Sequence, residues 1–178
     1  MRRAGVPAAI AAGVVVLDRV TKIYIQNRYS AHDVTPIIPW FFYIDHVENA
    51  GAGFGMLADS QSVWRVVILV GVSTVVMGII GAMLWGKGSQ AHSGLMRVAL
   101  ALILGGAAGN LWDRIFHGTV TDFLQFFFGS YEFPSFNAAD SMITIGAGLL
   151  LIDLWRNRHQ SSSNGQPAGR PQNLPLNS

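Results

Sequence analysis

The chain has 178 residues, of which 51% are apolar and 12% charged, with a formal net charge of +2. Ordinary soluble domains carry about 25% charged residues, so this composition excludes a conventional soluble fold and indicates a membrane protein. Cysteine is absent, which excludes a disulfide framework, a thiolate metal site and a cysteine nucleophile.

Four apolar stretches follow in chain order. The first covers residues 4–25 and is uncharged until Asp18, Arg19 and Lys22. The second covers 63–85 with Arg65 as its one charge, and the third covers 95–112 with Arg97 at its start. The fourth covers 138–155, with Asp140 near one end and Asp153 near the other. Each approaches the roughly 20 residues that cross a bilayer core as a helix. Between them, residues 35–44 and 119–128 are rich in β-branched and aromatic side chains and predict short strands at the membrane surface. Trp40, Phe41, Phe42, Tyr43, Phe126, Phe127, Phe128 and Tyr131 fit either an ordinary aromatic belt or a platform that cradles a substrate.

Basic residues set the expected orientation. Arg2 and Arg3 precede the first stretch, Lys87 and Arg97 flank the 2–3 connection, and Arg156, Arg158 and Arg170 follow the fourth. Loop 1 instead carries Asp33, Asp45, Glu48 and Asp59 against Arg28 alone. Both termini are therefore expected in the cytoplasm. The start reads as an uncleaved anchor, because three further spans follow it. Residues 1–157 are expected to form one membrane domain and 158–178 a disordered tail rich in Ser, Asn, Gln, Pro and Gly.

Acidic residues in such segments are costly, at about 2.5–3.5 kcal/mol for a mid-bilayer Asp even on low scales. Five occur: Asp18, Asp113, Asp122, Asp140 and Asp153. Asp18 and Lys22, at i and i+4, share a helix face and form an ion pair that fixes the first span. Asn49, with Gly51 and Gly53, makes a polar turn that permits close backbone approach. In the third stretch Gly105 and Gly109 form a small-xxx-small face. Gly106, Asn110 and Asp113 form a polar stripe, and Arg114 stands next to Asp113 as its expected partner. Asn137 and Asp140, at i and i+3, open the fourth stretch, where the helix dipole favours a carboxylate. Asp122 comes from the preceding connection. Two carboxylates at one place meet the requirement for aspartic proteolysis; on spacing alone a structural or ion-binding role suits them better. The histidines lack metal-ligand spacing, and no basic stripe points to nucleic acid. Intramembrane Asp and Asn also suit a proton- or cation-coupled transporter, although no internal repeat supports one.

The segments DRVTK at 18–22, NAGAGF at 49–54, GGAAGNLWDR at 105–114, VTDF at 120–123 and FNAADS at 136–141, in this order, resemble the bacterial lipoprotein signal peptidases (signal peptidase II). The resemblance covers residues 10–157. It implies a four-helix membrane aspartic peptidase with a small β-rich cradle on its outer face. It assigns catalysis to Asp122 and Asp140. Supporting roles fall on Asp18, Lys22, Asn49, Gly51, Asn110, Asp113, Arg114 and Asn137. The family usually has Ala or Ser where this chain has Gly53. The implied substrate is a prolipoprotein whose Cys carries diacylglycerol, cut just before that Cys. The implied setting is the bacterial inner membrane, with membrane lipid as a partner and no cofactor or metal. A monomer is expected.

Overall fold

A computed structural model describes residues 2–31, 33–51, 63–86 and 93–163. Gly53 and Phe54 of the second motif lie outside the described residues, as do His32, Asp59, Lys87, His92, Arg170 and the tail from 164.

The order of elements is α1 (Arg2–Arg28), β1 (Val34–Ile38), β2 (Phe42–Asn49), α2 (Val63–Trp85), α3 (Gly94–Phe116), β3 (Val120–Phe128), β4 (Tyr131–Phe136) and α4 (Ala138–Ser163). The fold is mainly helical with one small antiparallel sheet. Helices α2, α3 and α4 are long and apolar enough to cross a membrane; α1 carries Asp18, Arg19 and Lys22 within an otherwise apolar run. Three of the helices outrun their expected stretches: α1 runs on to Arg28, α3 to Phe116 and α4 to Ser163. Polar residues add turns at the helix ends that an apolarity criterion cuts off.

Helix α3 is central, and glycine puts it there. A Cβ on Gly105 would lie 2.7 Å from the Ala11 carbonyl oxygen and from Val14, and one on Gly109 would lie 2.5 Å from Asp18 Oδ2. Those two glycines receive α1. A Cβ on Gly106 would lie 2.5 Å from the Ala139 carbonyl oxygen, so that face receives α4. Gly146 on α4 returns the contact against Ala99 and Ile103. Small residues let backbones approach where lipid provides no hydrophobic driving force. On the far side, Ile80 and Leu84 of α2 pack on Leu100 of α3.

The sheet order is β1-β2-β3-β4, all antiparallel. The predicted strand at 35–44 divides into β1 and β2, because the chain turns between Ile38 and Phe41. Strand β4 was not expected from the sequence. Pro36 on β1 and Pro134 on β4 fall on the two edges, where a missing N–H is tolerated. Phe126 stacks on Phe42 and Phe136, tying three strands together.

Candidate active site

Asn137 is fully buried and stands just before α4. Its Oδ1 accepts from the Asp140 N–H at 3.0 Å, and its own N–H donates to Asp140 Oδ2 at 3.3 Å. This reciprocal arrangement is a capping box, with Asp in place of the usual Glu. It satisfies two backbone donors and locks the Asp140 side chain at the first turn. The Asn137 amide has donors to spare. Its Nδ2 donates to Asp122 Oδ1 at 2.6 Å and to Asn110 Oδ1 at 3.2 Å. One residue therefore links the two carboxylates singled out by the sequence, through its side chain to Asp122 and its backbone N–H to Asp140.

Strand β3 supplies Asp122, which is 2% exposed. Its pairing with β2 sets Val47 opposite Asp122 and brings Asn49 to the same strand end. Asn49 Nδ2 donates to Asp122 Oδ2 at 2.8 Å, and Asn49 Oδ1 accepts from the Gly51 N–H at 2.9 Å. Asn110 of α3 donates from Nδ2 to Asp140 Oδ1 at 2.7 Å. Neutral amides thus surround both carboxylates. Burial pushes the Asp122 carboxyl up to about 7; the nearby Asp140 adds to the rise, and hydrogen bonds from Asn49 and Asn137 oppose it.

Beneath this pair lies a second, charge-balanced cluster. Lys22 is fully buried, 2.9 Å from Asp18 and 2.8 Å from Asp113. Arg19 pairs with Asp113, so two cations meet two carboxylates. The expected Asp18–Lys22 pair is present. The expected Arg114–Asp113 pairing is replaced, because adjacent helical residues point about 100° apart. Arg114 donates instead to the carbonyl oxygens of Asn110 at 3.4 Å and Gly51 at 3.3 Å. Asp18 Oδ1 accepts from the Ala139 N–H at 3.2 Å, which fastens α1 to the head of α4. Lys22 also donates to Asn110 Oδ1 at 3.0 Å and so joins the two clusters.

Asp153 stands apart. It is buried near the other end of α4, where it takes bonds from Ser93 and Asn157. The remaining nine predicted site residues other than Gly51 are joined by the hydrogen bonds and ion pairs above, and Gly51 enters through its backbone. Arg19 escaped the sequence reading; its place three residues before Lys22 on a helix that already carried an ion pair was the available signal. Among the described residues, no group of three or more His, Asp or Glu could hold a metal ion.

The family model for signal peptidase (SPase) II matches residues 10–156. The lipoprotein signal peptidase of Solibacter usitatus is 44% identical over 154 residues, covering 86% of this chain and 93% of the relative. That of Symbiobacterium thermophilum is 40% identical over 145 residues, covering 82% and 91%. A bacterial membrane enzyme solved in meso at 2.3 Å superposes with a TM-score of 0.77 at 32% identity, covering 94% of this chain and 95% of that one.

Proposed function

The chain belongs to the signal peptidase II family, and on that premise we propose that Asp122 and Asp140 are its catalytic pair. The family is one of membrane aspartic peptidases that remove signal peptides from prolipoproteins. The observation that carries the assignment is the shared Asn137, whose side-chain amide and backbone N–H hold the Asp122 and Asp140 carboxylates at the head of α4.

Asp122, raised to about 7, still holds its proton in about half of the molecules at neutral pH and serves as the acid. Asp140, at the helix N-terminus, serves as the base. Water attacks the scissile carbonyl carbon while Asp140 takes its proton and Asp122 gives one to the carbonyl oxygen. The resulting gem-diol collapses. Asp122 takes back a hydroxyl proton, Asp140 passes its proton to the leaving nitrogen, and the C–N bond breaks. Asn49, Asn110 and Asn137 hold the carboxylates at fixed positions without neutralising them. Arg114 braces the Gly51 turn against α3. Asp18, Lys22 and Asp113 support the pair from below.

The substrate is a prolipoprotein bearing a diacylglyceryl Cys, cut just before that Cys. The lipid keeps the scissile bond at the membrane surface, where the strand ends meet α4. Residues 1–157 form one membrane domain with α1 as a fourth span, and its buried charges cancel within the cluster of Asp18, Arg19, Lys22 and Asp113. Both termini face the cytoplasm, the site faces outward from the inner membrane, and the protein acts as a monomer. Nothing in the fold or the relatives favours the transporter reading.

The test is cleavage of a diacylglyceryl-modified prolipoprotein peptide by purified protein with a metal chelator present. Chelator-insensitive cleavage that Asp122→Asn loses is the expected result. Absence of cleavage by folded wild type would overturn the assignment.

A further inference from the structure

Strand β2 shifts register between Ile44 and Val47, and His46 sits in that bulge. It is 7% exposed. Nδ1 lies 2.9 Å from the Tyr29 carbonyl oxygen, just beyond α1, and Nε2 lies 3.0 Å from Glu48 Oε1. Both partners are acceptors. A carbonyl oxygen never donates, and a carboxylate donates only when protonated. Burial raises the Glu48 carboxyl, but hydrogen bonds from Thr119, His46 and Thr121 outweigh it and hold Glu48 below its usual range. A neutral imidazole has one N–H and one lone pair. It would turn that lone pair toward an acceptor on one side or the other. The imidazolium has two N–H groups and satisfies both contacts.

The position matters for the neighbouring site. The His46 backbone N–H donates to the Asp33 carbonyl at 3.2 Å. Glu48 takes hydroxyl bonds from Thr119 at 2.6 Å and Thr121 at 3.0 Å. Thr121 in turn accepts from Gln26 of α1 at 2.7 Å. The next residue after Glu48 is Asn49, the donor to Asp122. We propose that His46 acts as an imidazolium, a positioning residue that pins the bulge of β2 to the end of α1 and so aims Asn49 at Asp122. The proposal rests on the peptidase reading for its effect on rate. The charged groups next to it are Glu48 and Asp45 on β2, and its backbone N–H meets the Asp33 carbonyl. Thr119, just before β3, and Thr121 on it give hydroxyls to Glu48, and β3 also carries Asp122 opposite Val47. The carboxyl groups of Glu48 and Asp45 next to the ring suit a cation.

The experiment compares cleavage of the diacylglyceryl-modified peptide by wild type and His46→Gln across about pH 5 to 8, the range in which histidine side chains change charge. Glutamine, like neutral histidine, cannot supply a cationic link. Wild type should be about tenfold faster on the acid side, the equivalent of one charge-assisted bond partly lost. The ratio should fall toward one on the alkaline side. Releasing Asn49 would remove a bond that lowers Asp122, so the ring-nitrogen measurement fixes the charge of His46 independently of Asp122. A ratio that is flat with pH would overturn the proposal and leave the peptidase reading intact. In parallel, ¹⁵N NMR of the full chain in micelles, with the other four histidines replaced by Gln, should show both His46 ring nitrogens protonated at about pH 6. A single neutral tautomer there would overturn the proposal whether or not the variant folds or the peptide is cut.

Discussion

The two aspartate clusters lie one hydrogen bond apart and are stabilised by opposite means. Asp18 and Asp113 meet the cations Lys22 and Arg19, and the four charges cancel. Asp122 and Asp140 meet the amides of Asn49, Asn110 and Asn137, which carry dipoles and no charge. Cations tie the first pair down by direct ion pairs. Amides position the second pair by hydrogen bonds. The difference separates an aspartate that holds a fold together from one that can do acid–base chemistry, although both are buried.

Exchanging the charge in the amide-held cluster should produce the largest effect. Asp122→Asn or Asp140→Asn should lower peptide cleavage by about 10²- to 10⁴-fold, with helicity by circular dichroism unchanged. The same exchange in the ion-paired cluster should act on stability. Asp18→Asn leaves Lys22 with one carboxylate fewer, and a broken buried pair costs about 3–5 kcal/mol. A lower denaturation midpoint, with the rate per folded molecule retained, is the expected outcome; a purely kinetic defect would erase the distinction between the clusters.

Acidity gives a third comparison. Cleavage should fall as pH rises through about 7, when Asp122 loses the proton it donates. Its folded value lies above the ordinary 3.8. Its contribution to stability is therefore fully present below about pH 4 and is lost as pH rises through about 7. Thermal melts from pH 4 to 8 on the wild type, set against Asp122→Asn, measure that slope; a slope identical in the two proteins would contradict it. The smallest expected effect belongs to the cap. Ser93 accepts from the Met96 N–H at the start of α3 and donates to Asp153. Ser93→Ala should cost about 1 kcal/mol in chemical denaturation and leave cleavage unchanged.

The local half of the site was legible in the sequence. Asn137 and Asp140 at i and i+3 already spell a helix start, and Asp18 and Lys22 at i and i+4 already spell a pair, because helical geometry alone brings them together. Contacts across the chain were not legible. Asn49 reaches Asp122 over 73 residues and Arg19 reaches Asp113 over 94, and those meetings depend on strand register and on glycine-mediated packing of α3. Proximity in sequence misled in one case, by pairing Arg114 with its neighbour Asp113. The β4 strand was hidden by Pro134, which argues against a strand unless the strand is known to lie at an edge.

Asn137 both starts α4 and holds Asp122, and that double duty gives the peptidase a schedule. The chain is made from its N-terminus, so Asp18 and Lys22 emerge first, Asp122 much later, and Asn137 and Asp140 last among the site residues. Until the opening turn of α4 has wound, Asp122 lacks the amide at its Oδ1 and Asp140 lacks a fixed direction. A nascent or half-inserted chain therefore carries both carboxyl groups without a working pair. On the proposed assignment of Asp122 and Asp140, the winding of the final helix is the step that completes the pair.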